Sequence, residues 1–247
     1  MTSAIAEKSA PGVVNRVNVA SRSMKGEAAP MGFYRQSVVP HLIRMAMKKR
    51  EVTPYRRQLI PQALGCVLEI GIGSGLNLPF YGPRVTRVLG LDPSPRLLEM
   101  AGQYRGSTAF PLELVRGTAE AMPVRTGSMD TVVSTWTLCS VPDAGRALAE
   151  MRRVLKPGGR LLFVEHGLTP EPKLQRWQRR LTPLWRRVTG GCRLDRKVDD
   201  LIVRAGFKIE TLTTGYAKGP KLTTFFYQGA ASPRGESGCP LLPPSPP

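Results

Sequence analysis

The sequence predicts an α/β fold, a mostly parallel seven-stranded sheet wound by helices. Two observations predict it. From residue 66 onward, short β-branched runs alternate with stretches of helical period, and a cluster of glycines directly follows the first of those runs. The 247 residues, 41% hydrophobic and 22% charged, suffice for one sizeable core and exclude collagen-like, coiled-coil and fully disordered chains.

Residues 1–30 are rich in Ala, Ser, Gly and lone charges without a hydrophobic period, and are expected to form a disordered basic tail. From residue 33, Val38, Leu42, Met45 and Met47 fall near helical spacing, with Lys48, Lys49 and Arg50 suited to a helix C-terminus. A short helix over 53–63 follows. The predicted strands are 66–70, 87–91, 112–116, 130–135 and 160–165, with helices in the gaps. Ser94 and Pro95 open one helix as N-cap and first helical residue; another runs from Asp143 and stops at Lys156-Pro157-Gly158-Gly159. A basic helical stretch interrupted at Pro183, a helix over 195–205, and two strands close enough to form a hairpin, 207–213 and 222–228, complete the body. Residues 229–247 read as a disordered Pro-rich tail.

Lys and Arg number 36 against 18 acids, a formal +18, and their placement is more informative than their sum. Residues 1–60 hold 11 basic and 3 acidic residues, and 173–197 hold 9 and 1, so each segment carries a net +8. The 61–172 body, with 11 and 10, is close to neutral. Four cysteines without a CxxC pair encode neither a zinc site nor a disulfide framework, which fits a reducing cytoplasm. The polar N-terminus and the lack of a long uncharged apolar run lead us to expect neither a signal peptide nor a membrane span.

Residues 69–75, Glu-Ile-Gly-Ile-Gly-Ser-Gly, follow a buried strand and are expected to precede a helix, a context in which bare backbone amides can meet a ligand. Asp92 closes the next strand 17 residues after Gly75, placed to accept hydrogen bonds from two ribose hydroxyls. A nucleoside-bearing cofactor follows. The third glycine of a nicotinamide fingerprint is absent, because Leu76 stands in its place.

Five ordered blocks now carry a resemblance: LEIGIGSG (68–75), LDPSP (91–95), GTAEAMP (117–123), DTVVSTWTLCSV (130–141) and LKPGGRLLFVEH (155–166). Over roughly residues 33–228 the chain resembles the class I S-adenosylmethionine-dependent methyltransferases, within them the type 11, quinone-methyltransferase-like group. The 138–141 segment, the GGCRLDRK run and the surroundings of Leu76 and Asn77 also resemble membrane-associated thiol methyltransferases and bacterial phospholipid N-methyltransferases. The resemblance implies a Rossmann-like α/β/α sandwich with strand order 3214576, the last strand antiparallel, spanning 31–228. It implies helical lids from 31–64 and 172–197 over the acceptor. It further implies S-adenosylmethionine held by Gly71, Gly73 and Gly75, with Asp92 on the ribose, Pro93 among the cofactor-binding residues, and Ala119 and Glu120 about the adenine, with Met122 nearby. Thr135, Trp136 and Thr137 would lie beside the cofactor, and Glu69 would organise the loop.

The donor's methyl carbon is electrophilic before the protein acts on it, so alignment is the main demand and one base assists a protonated acceptor. His166, at the C-terminal end of the fifth strand, is the better candidate base; the alternative is a histidine that only hydrogen-bonds the loop. His41 is expected to pack or serve the lid, and Cys139 to line the pocket. In the 173–197 segment, Leu174, Trp177, Leu181, Leu184, Trp185 and Val188 recur among arginines, which suits an anionic bilayer surface. A lid packed on the core, its arginines solvated, has equal weight. We therefore expect a small-molecule or lipid-like methyl acceptor, a thiol, phospholipid amine or quinol, and a peripheral contact with membrane. An RNA-modifying enzyme is disfavoured by the Ser-Thr-Trp-Thr at 134–137 and an aromatic content of 6%. A catalytically silent cofactor-binding protein is disfavoured by the intact loop and Asp92.

Overall fold

A computed structural model describes Met45, Met47 and residues 51–235 of the chain. The predicted tail at 1–30, the helix predicted from residue 33 with His41 apart from Met45 and Met47, and the end of the chain from 236 lie outside the described residues.

Strands β1 (Gly65–Ile70), β2 (Val85–Asp92), β3 (Leu112–Arg116), β4 (Met129–Thr135), β5 (Leu155–His166), β6 (Phe207–Tyr216) and β7 (Phe225–Pro233) form one sheet. Its order is β3-β2-β1-β4-β5-β7-β6, which is the 3214576 order, with β7 antiparallel to both neighbours and the other pairings parallel. The helices are α1 (Thr53–Leu59), α2 (Pro95–Gly102), α3 (Ala144–Val154), α4 (Pro172–Val188) and α5 (Val198–Arg204).

Alternation along the central strands builds the three layers. Leu68, Ile70, Leu89, Leu91, Val132, Leu161 and Phe163 face α3 and α5, where Leu148, Met151, Val198 and Ile202 complete one core. Val67, Val88, Val133, Leu162 and Val164 point the other way, onto Leu59, Ile60 and Phe110. Strands buried on both faces read as apolar runs, which is why they are recognisable in the sequence. Ser94 caps α2 by accepting from the Leu97 N–H, and Asp143 caps α3 from Arg146 N at 2.9 Å.

Three expectations need correction. The glycine loop is followed not by a helix but by a single 3-10 turn, Leu78–Phe80. Pro79, Gly82 and Pro83 in so short a connection leave no room for a helical run before β2 begins. Pro183 does not interrupt the basic helix: α4 runs through it, and the Thr182 hydroxyl donates to Gln178 O at 2.7 Å just before the missing amide. The C-terminal tail does not begin at 229 either, because β7 continues to Pro233, with Gly229, Ala230 and Ala231 paired to β5 and β6. These small residues lack the branched signature of a strand, yet a side chain on Gly229 would strike the Thr211 carbonyl at 2.0 Å.

Candidate active site

Strand order reverses between β1 and β4, so a crevice opens at the C-terminal ends of the parallel strands. Four strand ends deliver side chains there: Glu69 from β1, Asp92 from β2, Thr135 from β4, and Glu165 and His166 from β5.

The glycine loop leaves β1 in left-handed backbone, with φ of +64° at Gly71 and +55° at Gly73. A Cβ at Gly71 would meet Thr137 Oγ1 at 2.4 Å, whereas at Gly73 nothing but the Gly71 carbonyl comes within 4 Å, at 3.8 Å. The loop amides are less bare than the sequence suggests. Gly71 N and Ile72 N donate to Leu91 O at 2.8 and 3.1 Å, and Gly75 N donates to Ile72 O. Gly73 N reaches Asp92 Oδ2 at 3.0 Å, while Asp92 Oδ1 accepts from Ser94 N at 2.8 Å. Asp92 is buried, which raises its pKa, and each of its oxygens retains a second lone pair for a ligand. Pro93 is exposed directly behind it. The turn holding Ala119 and Glu120 is drawn to this end by Gly117 N on Asp92 O; Ala119 joins the core and Glu120 accepts from Asp143 N at 3.3 Å.

Beside the loop lies a polar network of which the sequence named Glu69 and Thr135 but not the partners that join them. Glu69 accepts from Asn77 Nδ2 and Tyr81 OH, each at 2.8 Å, and Asn77 Nδ2 also reaches Thr135 Oγ1 at 2.9 Å. Arg56 of α1 donates through Nε to Asn77 Oδ1 and through its terminal nitrogen to Met47 O, both at 2.9 Å. Its guanidinium lies 4.8 Å from the centre of the Trp136 ring. Burial lowers the Arg56 pKa to about 10, and burial raises that of Glu69 to about 7 against the pull of Tyr81, Asn77 and Arg56. Asn77 was noticed only as part of a neighbourhood, and Arg56 only as one of many basic residues.

At the other end, Trp136 turns the chain out of β4 with φ +52°, an uncommon conformation for a residue with a Cβ. Its N–H still donates to Val164 O at 2.8 Å. Glu165, fully buried and overlooked in the sequence beside His166, braces this corner: Oε1 accepts from Ser134 Oγ at 2.8 Å and Thr137 N at 3.1 Å, and Oε2 from Cys139 N at 3.4 Å. Burial raises its pKa to about 7. His166 is buried, 6.1 Å from the Phe226 ring centre, which lies 6.0 Å from Trp136. Its Nδ1 is 3.6 Å from Cys192 Sγ; its Nε2 and Trp136 Nε1 are buried without partners. Among the described residues no group of three His, Cys, Asp or Glu side chains is arranged to hold a metal ion. A shallow groove of about 580 Å³ between α2 and β3 contains none of these residues.

Comparison with known proteins agrees with this architecture. A family model described as a methyltransferase domain matches residues 68–163. The thiol S-methyltransferase TMT1B of Homo sapiens is 35% identical over 182 residues, 66% of this chain and 72% of that protein. The phosphatidylethanolamine N-methyltransferase of Cereibacter sphaeroides is 36% identical over 104 residues, 41% of this chain and 51% of its own. Among solved structures, the YcgJ protein of Bacillus subtilis aligns with a TM-score of 0.58 at 17% identity, over 80% of this chain and 98% of that one. At that identity the likeness speaks for the fold.

Proposed function

Because this chain belongs to the class I, type 11 family of S-adenosylmethionine-dependent methyltransferases, we propose that the acceptor of its methyl group is the sulfur of a small thiol. The crevice residues fit the donor. Gly73 leaves open space where a Cβ would intrude, Asp92 offers acceptor oxygens at the same point, and Ser74 Oγ and Trp136 Nε1 are buried without partners. When bound, the donor supplies a methyl carbon attached to a positively charged sulfur, open to attack by a lone pair. Gly71, Gly73 and Asp92 would hold its nucleoside, and the Glu69–Asn77–Thr135 network fixes the loop against β4.

The observation that carries the thiol reading is His166 Nε2, an unpartnered ring nitrogen on a residue that packs edge-on to Phe226, itself packed on Trp136, at the end of β5. An apolar wall with one basic nitrogen suits a neutral S–H that must lose its proton on reaction. The name of the human relative supports it. A second reading, transfer to a phospholipid amine, is favoured by α4, whose exposed Trp177, Leu184 and Val188 stand among arginines. In both readings the enzyme is peripheral to a membrane, with α4 at its surface; among the described residues no helix is long and apolar enough to cross one.

Radiolabelled methyl transfer to a panel of thiols, phosphatidylethanolamine and polyprenyl quinols tests the acceptor. We expect product with thiols, none with Asp92→Ala, and a loss of about 10²- to 10⁴-fold with His166→Ala. Transfer to phosphatidylethanolamine or quinol alone would overturn the thiol reading, and unchanged cofactor affinity in Asp92→Ala by calorimetry would overturn the site.

A further inference from the structure

We propose that Cys192 is a positioning residue for His166: a Cys192–His166 relay in which the Cys192 sulfur accepts the Nδ1 proton in a hydrogen bond and leaves Nε2 as the base. The inference deepens the thiol-transfer reading and rests on it for the identity of the acceptor.

The geometry is over-determined. Cys192 lies in the loop after α4, and that loop is fastened to the one after β4 by Arg193 N on Cys139 O at 2.8 Å. Arg196 adds hydrogen bonds to the carbonyls of Leu138, Val141 at 2.6 Å and Pro142 at 3.1 Å. These contacts hold Cys192 at the end of β5, where His166 Nδ1 lies 3.6 Å from its Sγ. Nε2 is buried without an acceptor, so the ring proton belongs on Nδ1, where the Cys192 sulfur can take it.

Charge distribution assigns the roles of the two cysteines. Cys139 Sγ has partners of its own, Trp136 O and Ser140 Oγ, each at 3.5 Å, and its pKa is pushed up by the neighbouring thiol, by burial and by the Glu165 carboxyl. The Cys192 pKa is pushed down by the neighbouring Cys139 thiol and by His166. Arg196 faces the pair from the loop, with Arg193 and Asp195 paired at 3.2 Å beside it. Which imidazole nitrogen carries the proton is set by the bond the other makes. With Nδ1–H donating to sulfur, Nε2 keeps a free lone pair. The acceptor's S–H proton then passes to Nε2, its bonding pair stays on the acceptor sulfur as the nucleophile, and the imidazolium rests against the Cys192 thiolate until solvent removes the proton. The logic is that of an acid orienting a catalytic histidine, with sulfur in the acid's place.

The test uses the full chain, whose two histidines make assignment simple. Nitrogen-15 spectra of ¹⁵N-histidine-labelled enzyme, assigned with a His41→Gln variant, should show His166 in the Nδ1–H tautomer. Cys192→Ala should move it toward the Nε2–H form, and the thiolate ultraviolet absorbance at neutral pH should vanish in Cys192→Ser. Transfer to thiols should fall about tenfold or more in kcat in Cys192→Ala, with KM little changed and the acidic limb of the pH profile displaced, and Cys192→Asp should recover part of it. An Nε2–H tautomer in the wild type, or a His166 resonance indifferent to Cys192→Ala, would overturn the proposal. If the tautomer shifts as expected but no thiol is methylated, the relay stands and the acceptor assignment falls.

Discussion

Glu69 and Glu165 are two carboxyl groups buried at opposite ends of the crevice, and each titrates near pH 7 in the fold instead of near 4.5. The sign of the consequence follows from proton binding. Between about pH 4.5 and 7 the folded chain binds more protons than the unfolded one, so stability is present at the acid end and is lost as pH rises through the folded pKa. Each group contributes a slope of up to about 1.4 kcal/mol per pH unit in that window. Chemical denaturation at pH 5.5 and 7.5 should find the wild type less stable at the higher pH, and Glu69→Gln should flatten that difference. A Glu69→Gln protein with the full pH dependence would show that the Asn77 and Tyr81 hydrogen bonds keep Glu69 ionised despite burial. These residues also mark what the sequence conceals. Gly71, Gly73, Gly75 and Asp92 are legible because the loop is contiguous and the acid ends the next strand. Arg56, Asn77, Tyr81 and Glu165 form their bonds across the fold, as Arg56 and Asn77 do over 21 residues of sequence, and no local pattern announces such a meeting. His166 is legible as a residue at a strand end, but its sulfur partner, 26 residues on, is not.

At the scale of elements, the glycine loop separates a packing requirement from a binding one. Gly71 and Gly73 share left-handed backbone, which costs an alanine about 1 to 2 kcal/mol at either position. Only Gly71 also has a wall, the Thr137 hydroxyl at 2.4 Å from the added carbon, and Thr137 is itself held by Ile70 O at 3.0 Å. Gly71→Ala should therefore lower stability by several kcal/mol. Gly73→Ala should lose only that backbone cost of about 1 to 2 kcal/mol yet weaken cofactor binding at least tenfold, because its Cβ enters open space in the crevice. Thermal melts with calorimetry on both variants check the contrast, and equal melts with equal affinities would remove Gly73 from the site. The loop's exit through a 3-10 turn belongs to the same argument: with no helix N-terminus aimed at the ligand, the site is not built around a phosphate. The helix expected there could not be excluded from the glycines alone, since the prolines and the short connection decide it. Helix α4 was legible as amphipathic but not in its facing. Gln178, fully buried, accepts from Thr169 N at 3.0 Å and donates to Gly167 O and Leu222 O, so the polar side of the helix is the one docked on the body.

Over the whole molecule, that inverted facing combines with the charge distribution. The 61–172 body is nearly neutral, whereas the segment from 173 to 197 carries a net +8. The apolar stripe of α4, Trp177, Leu181, Leu184 and Val188, recurs at intervals of four, three and four and lies on the outer surface, with Trp177 53% and Leu184 62% exposed. Arg176, Arg179, Arg180, Arg186 and Arg187 are also exposed, and the Arg180 guanidinium lies 5.9 Å from the centre of the Trp177 ring. A lid whose only task was to cover the core would bury this stripe. Facing outward among cations, it matches an anionic bilayer, where a tryptophan sits at headgroup level and each arginine near the surface contributes about 1 kcal/mol. Two separable terms then govern binding. The Coulomb part should weaken as salt shortens the Debye length from about 10 Å at 0.1 M to about 3 Å at 1 M, and the apolar part should not. Sedimentation with phosphatidylserine-containing vesicles should show binding that falls with salt, and vesicles of phosphatidylcholine alone should bind weakly. Trp177→Ser combined with Leu184→Ser should release the protein from both while leaving cofactor affinity unchanged, since neither side chain reaches the crevice residues. Equal and negligible sedimentation with the two kinds of vesicle would remove the membrane from the proposal and leave the stripe as a surface for some other partner.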